Sequence, residues 1–167
     1  MINALPVFIR TATKRDLQAV RDLLAATWHA SFDKHCGAQE IAPITGEWHA
    51  LSALERQLTV PNSEFLVADD GTALHGMAYA SCNARIVKLH QLYVLANRQR
   101  IGTGSLLLAE MLECFTDADI VQLEVDPANA AAISFYCRAG FSQTGRTENC
   151  GKAQSGIPAL IFARPLR

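Results

Sequence analysis

The chain has no apolar run near the ~20 residues that a bilayer span needs. It has no long basic block either, with 15 Lys and Arg against 16 Asp and Glu. The first absence argues against a membrane partner, the second against the electrostatic footprint of a nucleic-acid partner. Residues 1–10 carry no basic n-region and no small-residue cleavage site, so no export signal is read and a cytoplasmic protein is expected. Cysteine is present but unpatterned. The five residues Cys36, Cys82, Cys114, Cys137 and Cys150 are an odd number with no C-x-x-C pair, which points to buried reduced thiols rather than a disulfide framework. His29, His35 and Cys36 match no closed zinc spacing, and no metal is expected. What the chain does have is apolar surface. Half of its 167 residues are hydrophobic, enough for a packed core at a length typical of one domain, here 1–167.

Alternation and turn residues predict strands over 7–10, 64–68, 73–82, 85–94, 120–125, 141–148 and 157–163. Helical spacing predicts helices over 14–30, 47–58, 102–115 and 128–139. Thr13 with Asp16 three residues on reads as a capping box, Asp69-Asp70-Gly71 as a hairpin turn, and Gly140 as a helix-ending glycine. Residues 31–44 read as loop with a partial helical turn, and 151–156 as a flexible connection. This order predicts one mixed sheet with helices on both faces. The last strand is open to pairing within the chain or with a second copy, which leaves a homodimer open.

Two segments carry chemistry. Gly102-Thr103-Gly104 stands where a strand gives way to a helix. Glycines there let backbone N–H groups approach an anion, and the helix N-terminus adds partial positive charge. Arg98 and Arg100 are candidate cations beside it. The pattern is neither a Walker sequence nor a six-residue dinucleotide fingerprint, and an ordinary glycine turn is the competing reading. Downstream, Asn129 and Tyr136 are seven residues apart, almost two helical turns, and so share a face with Ile133. Three alanines, 130–132, allow close backbone approach. A plain helix cap and a core aromatic are the alternatives for this pair.

Taken together, these residues resemble the GNAT superfamily of acyl-CoA-dependent N-acetyltransferases. Gln99-x-x-Gly102-x-Gly104 is similar to its pyrophosphate motif, and Asn129-x-x-Ala132-x-x-Phe135-Tyr136-x-x-x-Gly140-Phe141 to its second cofactor-binding segment. The resemblance implies an α/β (α+β type) fold whose mixed, mostly antiparallel sheet has six to seven strands, with about four helices on both faces. It implies acetyl-CoA as cosubstrate and transfer of the acetyl group to a primary amine of a small molecule or peptide. By the same resemblance, the main chain of Leu92 and Val94 pairs with the pantetheine arm. Gln99, Arg100, Ile101, Gly102, Thr103, Gly104 and Ser105 cradle the diphosphate, Asn129 contacts the cofactor arm, and Tyr136 protonates the leaving thiolate. A phenol pKa near 10 against a thiol near 8.5 makes that transfer feasible.

Leu123-Glu124-Val125 resembles the base-bearing stretch of ribosomal-protein alanine N-acetyltransferases, so Glu124 is the first candidate base. A salt-bridged Glu124 is the alternative, and His90, alternating with Lys88 and Leu92, is the second candidate. Ala96 departs from a frequent proline, and Ile101 from a frequent glycine. Acceptor specificity in the family usually lies in the first two helices and their connection. Here Trp28, His29 and Phe32 precede Asp33, His35 and Glu40, and Trp48 and His49 follow. Trp28, Phe32 and His90 are the substrate-binding candidates. A non-catalytic acyl-CoA sensor and a different nucleotide-binding module remain as alternatives.

Overall fold

The computed structural model describes residues 5–32, 46, 49–151 and 153–167, the side chains of 29–32 excepted. In chain order the elements are β1 (Phe8–Thr11), α1 (Leu17–Phe32), α2 (Leu51–Gln57), β2 (Ser63–Asp69), β3 (Leu74–Asn83), β4 (Ile86–Val94), α3 (Thr103–Glu113), β5 (Ile120–Val125), α4 (Ala130–Arg138), β6 (Ser142–Thr147) and β7 (Ala159–Pro165). The strands form one seven-stranded sheet in the order β1-β2-β3-β4-β5-β7-β6. The β4–β5 pair is parallel, while β1–β2, β5–β7 and β6–β7 are antiparallel. The β2–β3 and β3–β4 connections are too short for a parallel crossover, so these neighbours are antiparallel too. The mixed, mostly antiparallel sheet with four helices among the described residues agrees with the expected fold class.

Element ends moved for local reasons. The first helix opens as a 3₁₀ turn, Lys14–Asp16, before α1 begins. The Thr13 N–H donates to the Asp16 carboxylate at 2.7 Å, as the capping pattern predicts. The helix expected from 47 begins only at Leu51, because Ala50 is extended (φ −59°, ψ 142°). Residues 47 and 48 lie outside the described residues.

The chain divides into two compact units, and β3 and β4 run through both. Residues 1–79 and 91–114 make the first unit. Its core gathers Val20 and Leu24 of α1, Leu54 of α2, Phe65 and Val67 of β2, and Met77 of β3. Leu107 and Met111 of α3 are also buried, whereas Leu106, expected in the apolar stripe, is exposed. Residues 80–90 and 115–167 make the second unit. There β5 alternates: Val121, Leu123 and Val125 are buried while Ile120, Gln122 and Glu124 are only partly so. β7 lies between β5 and β6, so the C-terminal strand pairs within the chain. The 151–156 connection is tied at its ends, with Cys150 N–H donating to the Ile157 carbonyl (2.7 Å) and Gly156 N–H to Asn149 Oδ1 (3.1 Å). No helix among the described residues is long and apolar enough to cross a membrane.

Candidate active site

In the first unit, β4 ends at Val94 and the chain makes a 3₁₀ turn, Ala96–Arg98. Gln99 is extended, and its side-chain amide donates back to the Val94 carbonyl at 2.9 Å. Arg100 (φ 63°) and Gly102 (φ 94°) are both left-handed, a conformation that costs a non-glycine residue on the order of 1 kcal/mol. α3 starts at Thr103, and its first helical bond runs from Leu106 N–H to the Gly102 carbonyl (2.9 Å). The amides of Thr103, Gly104 and Ser105 therefore head the helix, where no preceding turn can accept them. A Cβ built at Gly102 would meet nothing within 4 Å, so the turn is open at that position. Left-handed Gly102 followed by helical Thr103 makes a small concavity of N–H groups. Such a donor set fits a diphosphate.

Arg98 is not a free cation beside this turn, contrary to the sequence reading. Its side chain is 14 % exposed and donates to Asp70 Oδ2 and to the Leu5 carbonyl, each at 3.3 Å. Arg100 and Ile101 are exposed. Trp28 is buried, edge-on to His49 at 5.4 Å and tilted against Tyr93 at 6.5 Å. The Phe32 and His29 side chains, and Asp33, His35, Cys36, Glu40 and Trp48, lie outside the described residues.

In the second unit the β4–β5 ladder covers Ile86–Leu89 against Ile120–Leu123 and stops before His90 and Glu124. Strand alternation puts Lys88 and His90 on one face of β4 and Gln122 and Glu124 on one face of β5. Lys88 Nζ donates to Glu124 Oε1 at 3.3 Å, and the Gly151 N–H to Glu124 Oε2 at 2.8 Å. Burial pushes the Glu124 carboxyl up, but the Gly151 amide, the Lys88 charge and the Cys150 thiol together hold it below the ordinary value. Glu124 is thus ion-paired with Lys88. His90 is hydrogen-bonded to Ser81 Oγ through Nε2 (2.7 Å). Surrounding protein, then repulsion from Lys88, lower its imidazole pKa, with Glu124 opposing in part; the ring's exposure to water limits the shift.

α4 is capped by Asn129, whose Oδ1 accepts the Ala132 N–H at 3.1 Å. Tyr136 is buried, edge-on to Phe135 and Phe141 at 5.1 and 5.5 Å. Phe141 N–H bonds to the Tyr136 carbonyl across left-handed Gly140, the expected helix end. Among the described residues no group of three His, Cys, Asp or Glu is placed to hold a metal. Cys114 and Cys137 are exposed rather than buried as expected. Cys150 is half-buried, and burial, with Glu124 beside it, pushes its thiol up to about 12. Sequence reasoning missed Asp70, His75 and the Arg98 pairing, because 28 residues separate Asp70 from Arg98.

A family model, "Acetyltransferase (GNAT) domain", matches residues 32–157. No curated protein sequence matches the chain. Among solved structures, PaiA N-acetyltransferase from Thermoplasma acidophilum, in complex with coenzyme A, superposes with a TM-score of 0.85 at 19% identity, covering 95% of this chain and 98% of its own. The ribosomal-protein-S18-alanine N-acetyltransferase from Escherichia coli gives 0.72 at 19% identity over 95% and 93%. Aminoglycoside 6'-acetyltransferase type Ii gives 0.70 at 19% identity over 95% and 96%. These structures share the fold, and the family model carries the assignment: the chain belongs to the GNAT acetyltransferases and uses acetyl-CoA as cosubstrate.

Proposed function

We propose that the chain is a single-domain N-acetyltransferase that moves the acetyl group of acetyl-CoA to a primary amine of a small molecule or peptide by direct attack. The observation that carries this reading is the run of helix-leading amides that follows left-handed Gly102, whose Cβ position is open. In this reading Gln99, Arg100, Ile101, Gly102, Thr103, Gly104 and Ser105 hold the diphosphate. The stretch of β4 beyond its ladder with β5, with Leu92 and Val94, takes the pantetheine arm as an added strand. Asn129 spends Oδ1 on its cap, which leaves its amide NH₂ for the arm. Acetyl-CoA supplies the acyl thioester, and the Tyr136 hydroxyl gives its proton to the departing sulfur.

The incoming amine must first lose a proton. Glu124 and His90 both have lowered pKa values and are weak bases at neutral pH. The proton therefore leaves through water to bulk solvent, with the Glu124 carboxylate attracting the ammonium. Trp28, Phe32 and His90 are the acceptor-binding residues of this reading, and an N-terminal alanine of a ribosomal protein is one acceptor of the required chemistry. Free thiols suit a cytoplasmic setting. A homodimer, if formed, uses a surface other than β7, whose two edges are already paired.

The test is thiol release from acetyl-CoA across a panel of amines. Tyr136→Phe is expected to lower kcat roughly 100-fold, the scale of a lost general acid, with coenzyme A affinity unchanged. Tight coenzyme A binding with no amine-stimulated release in wild type would instead identify a non-catalytic acyl-CoA sensor.

A further inference from the structure

We propose that Arg98, Asp70 and His75 act as a positioning device that fixes the entrance of the diphosphate cradle; this rests on the reading of Gln99–Ser105 as that cradle. All three residues lie in the first unit. The Asp70 side chain is 4 % exposed and has every lone pair in use. Oδ1 accepts the Thr72 N–H (2.9 Å), the Thr72 hydroxyl (2.8 Å) and the Ala73 N–H (2.9 Å). Oδ2 meets His75 Nε2 at 2.6 Å and Arg98 Nη2 at 3.3 Å. The carboxylate thus joins the β2–β3 turn, the start of β3 and the 3₁₀ turn ahead of the cradle.

The main chain closes a ring through the same residues. Leu95 N–H donates to the His75 carbonyl at 2.9 Å, and Arg98 N–H to the Leu95 carbonyl at 2.8 Å. From His75 the path runs through Leu95 and Arg98 to Asp70 and back to His75. Gln99 leaves this ring directly, and Gly102 follows three residues later. The second prong of the guanidinium, Nη1 on the Leu5 carbonyl, fixes its orientation. A buried ion pair contributes little net stability, because desolvation offsets attraction, but its geometry is specific. Its effect is therefore expected in where the cradle amides point. None of the three side chains needs to touch the ligand, so these are positioning residues.

The test measures, by titration calorimetry and NMR titration, the affinity of wild type and Arg98→Met for coenzyme A, ADP and pantetheine. ADP carries the diphosphate with adenosine but without the arm, and pantetheine the arm without the diphosphate. Arg98→Met is expected to weaken coenzyme A and ADP by the same factor, roughly tenfold, the scale of a modest misplacement of binding groups. Pantetheine binding is expected to stay unchanged. Should Arg98→Met fail to fold, Arg98→Lys keeps the charge but reaches only one acceptor, and the same ordering is expected with a smaller factor. Equal weakening of all three ligands, or of none, overturns the inference while leaving the cradle in place. A wild-type chain that binds neither coenzyme A nor ADP overturns the cradle reading and this inference with it.

Discussion

His49 is 3 % exposed, and neither ring nitrogen has a hydrogen-bond partner among the described residues. Burial lowers its pKa from 6.5 to about 4, so the folded chain keeps the ring neutral where an unfolded chain would protonate it. The sign follows from linkage. Stability from this group is complete above pH 6.5, falls as the unfolded state gains its proton, and is flat again below about pH 4. At about 1.4 kcal/mol per pH unit the loss reaches at most about 3.5 kcal/mol. His49→Phe keeps a ring against Trp28 without the desolvated nitrogens. It is expected to flatten urea-derived stability between pH 6.5 and 4 and to cost little at pH 7; an unchanged acid slope would refute the assignment. Such partnerships are hard to read from a sequence. The spacing of Asn129 and Tyr136 shows as helical periodicity, but Lys88 meets Glu124 across 36 residues and Arg98 meets Asp70 across 28. Hence Arg98 read as a loose cation and Glu124 as an open choice between base and ion pair.

The packing of β3 on its neighbours turns on Gly76. A Cβ there would sit 2.9 Å from the Tyr93 carbonyl oxygen and from Leu107 Cδ1, and 3.3 Å from Val94 Cγ2. Two of these atoms belong to the end of β4 that the pantetheine reading uses, and the third to the inner face of α3. The carbonyl cannot rotate aside as a leucine tip can. Gly76→Ala is therefore expected to destabilise by about 1–3 kcal/mol, the usual range for overpacking. Chemical denaturation reads this directly, and wild-type stability in the variant would show that β3 and β4 have room to part. Element boundaries were legible where turn chemistry is local. Residues 120–125 form a strand as predicted, Gly140 ends α4, and the Asp69-Asp70-Gly71 hairpin closes as expected. Gly76 was not legible, since a glycine inside a strand pattern does not announce which helix presses against it. The late start of α2 at Leu51 was not legible either, because Ala50 carries no capping side chain.

At the scale of the molecule, the fold class was readable because each local preference pointed the same way, and the motif order supplied the family; the place of β7 between β5 and β6 was not. The acceptor was not, because one fold serves many acceptors. The neighbours named for ribosomal-protein-S18-alanine and aminoglycoside acetylation are each 19% identical to this chain. The cradle can be tested without knowing the acceptor. A ligand that binds the folded chain alone stabilises it by roughly 2.7 kcal/mol at one hundred times its Kd. For a chain of this size about 1 kcal/mol moves the midpoint 2–4 °C. Coenzyme A at that excess is thus expected to raise Tm by roughly 5–10 °C in scanning calorimetry. The shift should survive Tyr136→Phe, because a proton donor to the leaving sulfur is not needed to hold the diphosphate. It should be lost when Gly102 is changed to valine, since a β-branched residue resists the left-handed conformation (φ 94°) that turns the helix-leading amides outward. A wild-type chain whose Tm does not respond to millimolar coenzyme A would mean that those amides do not face a ligand, and the acetyl-transfer reading would have to be abandoned.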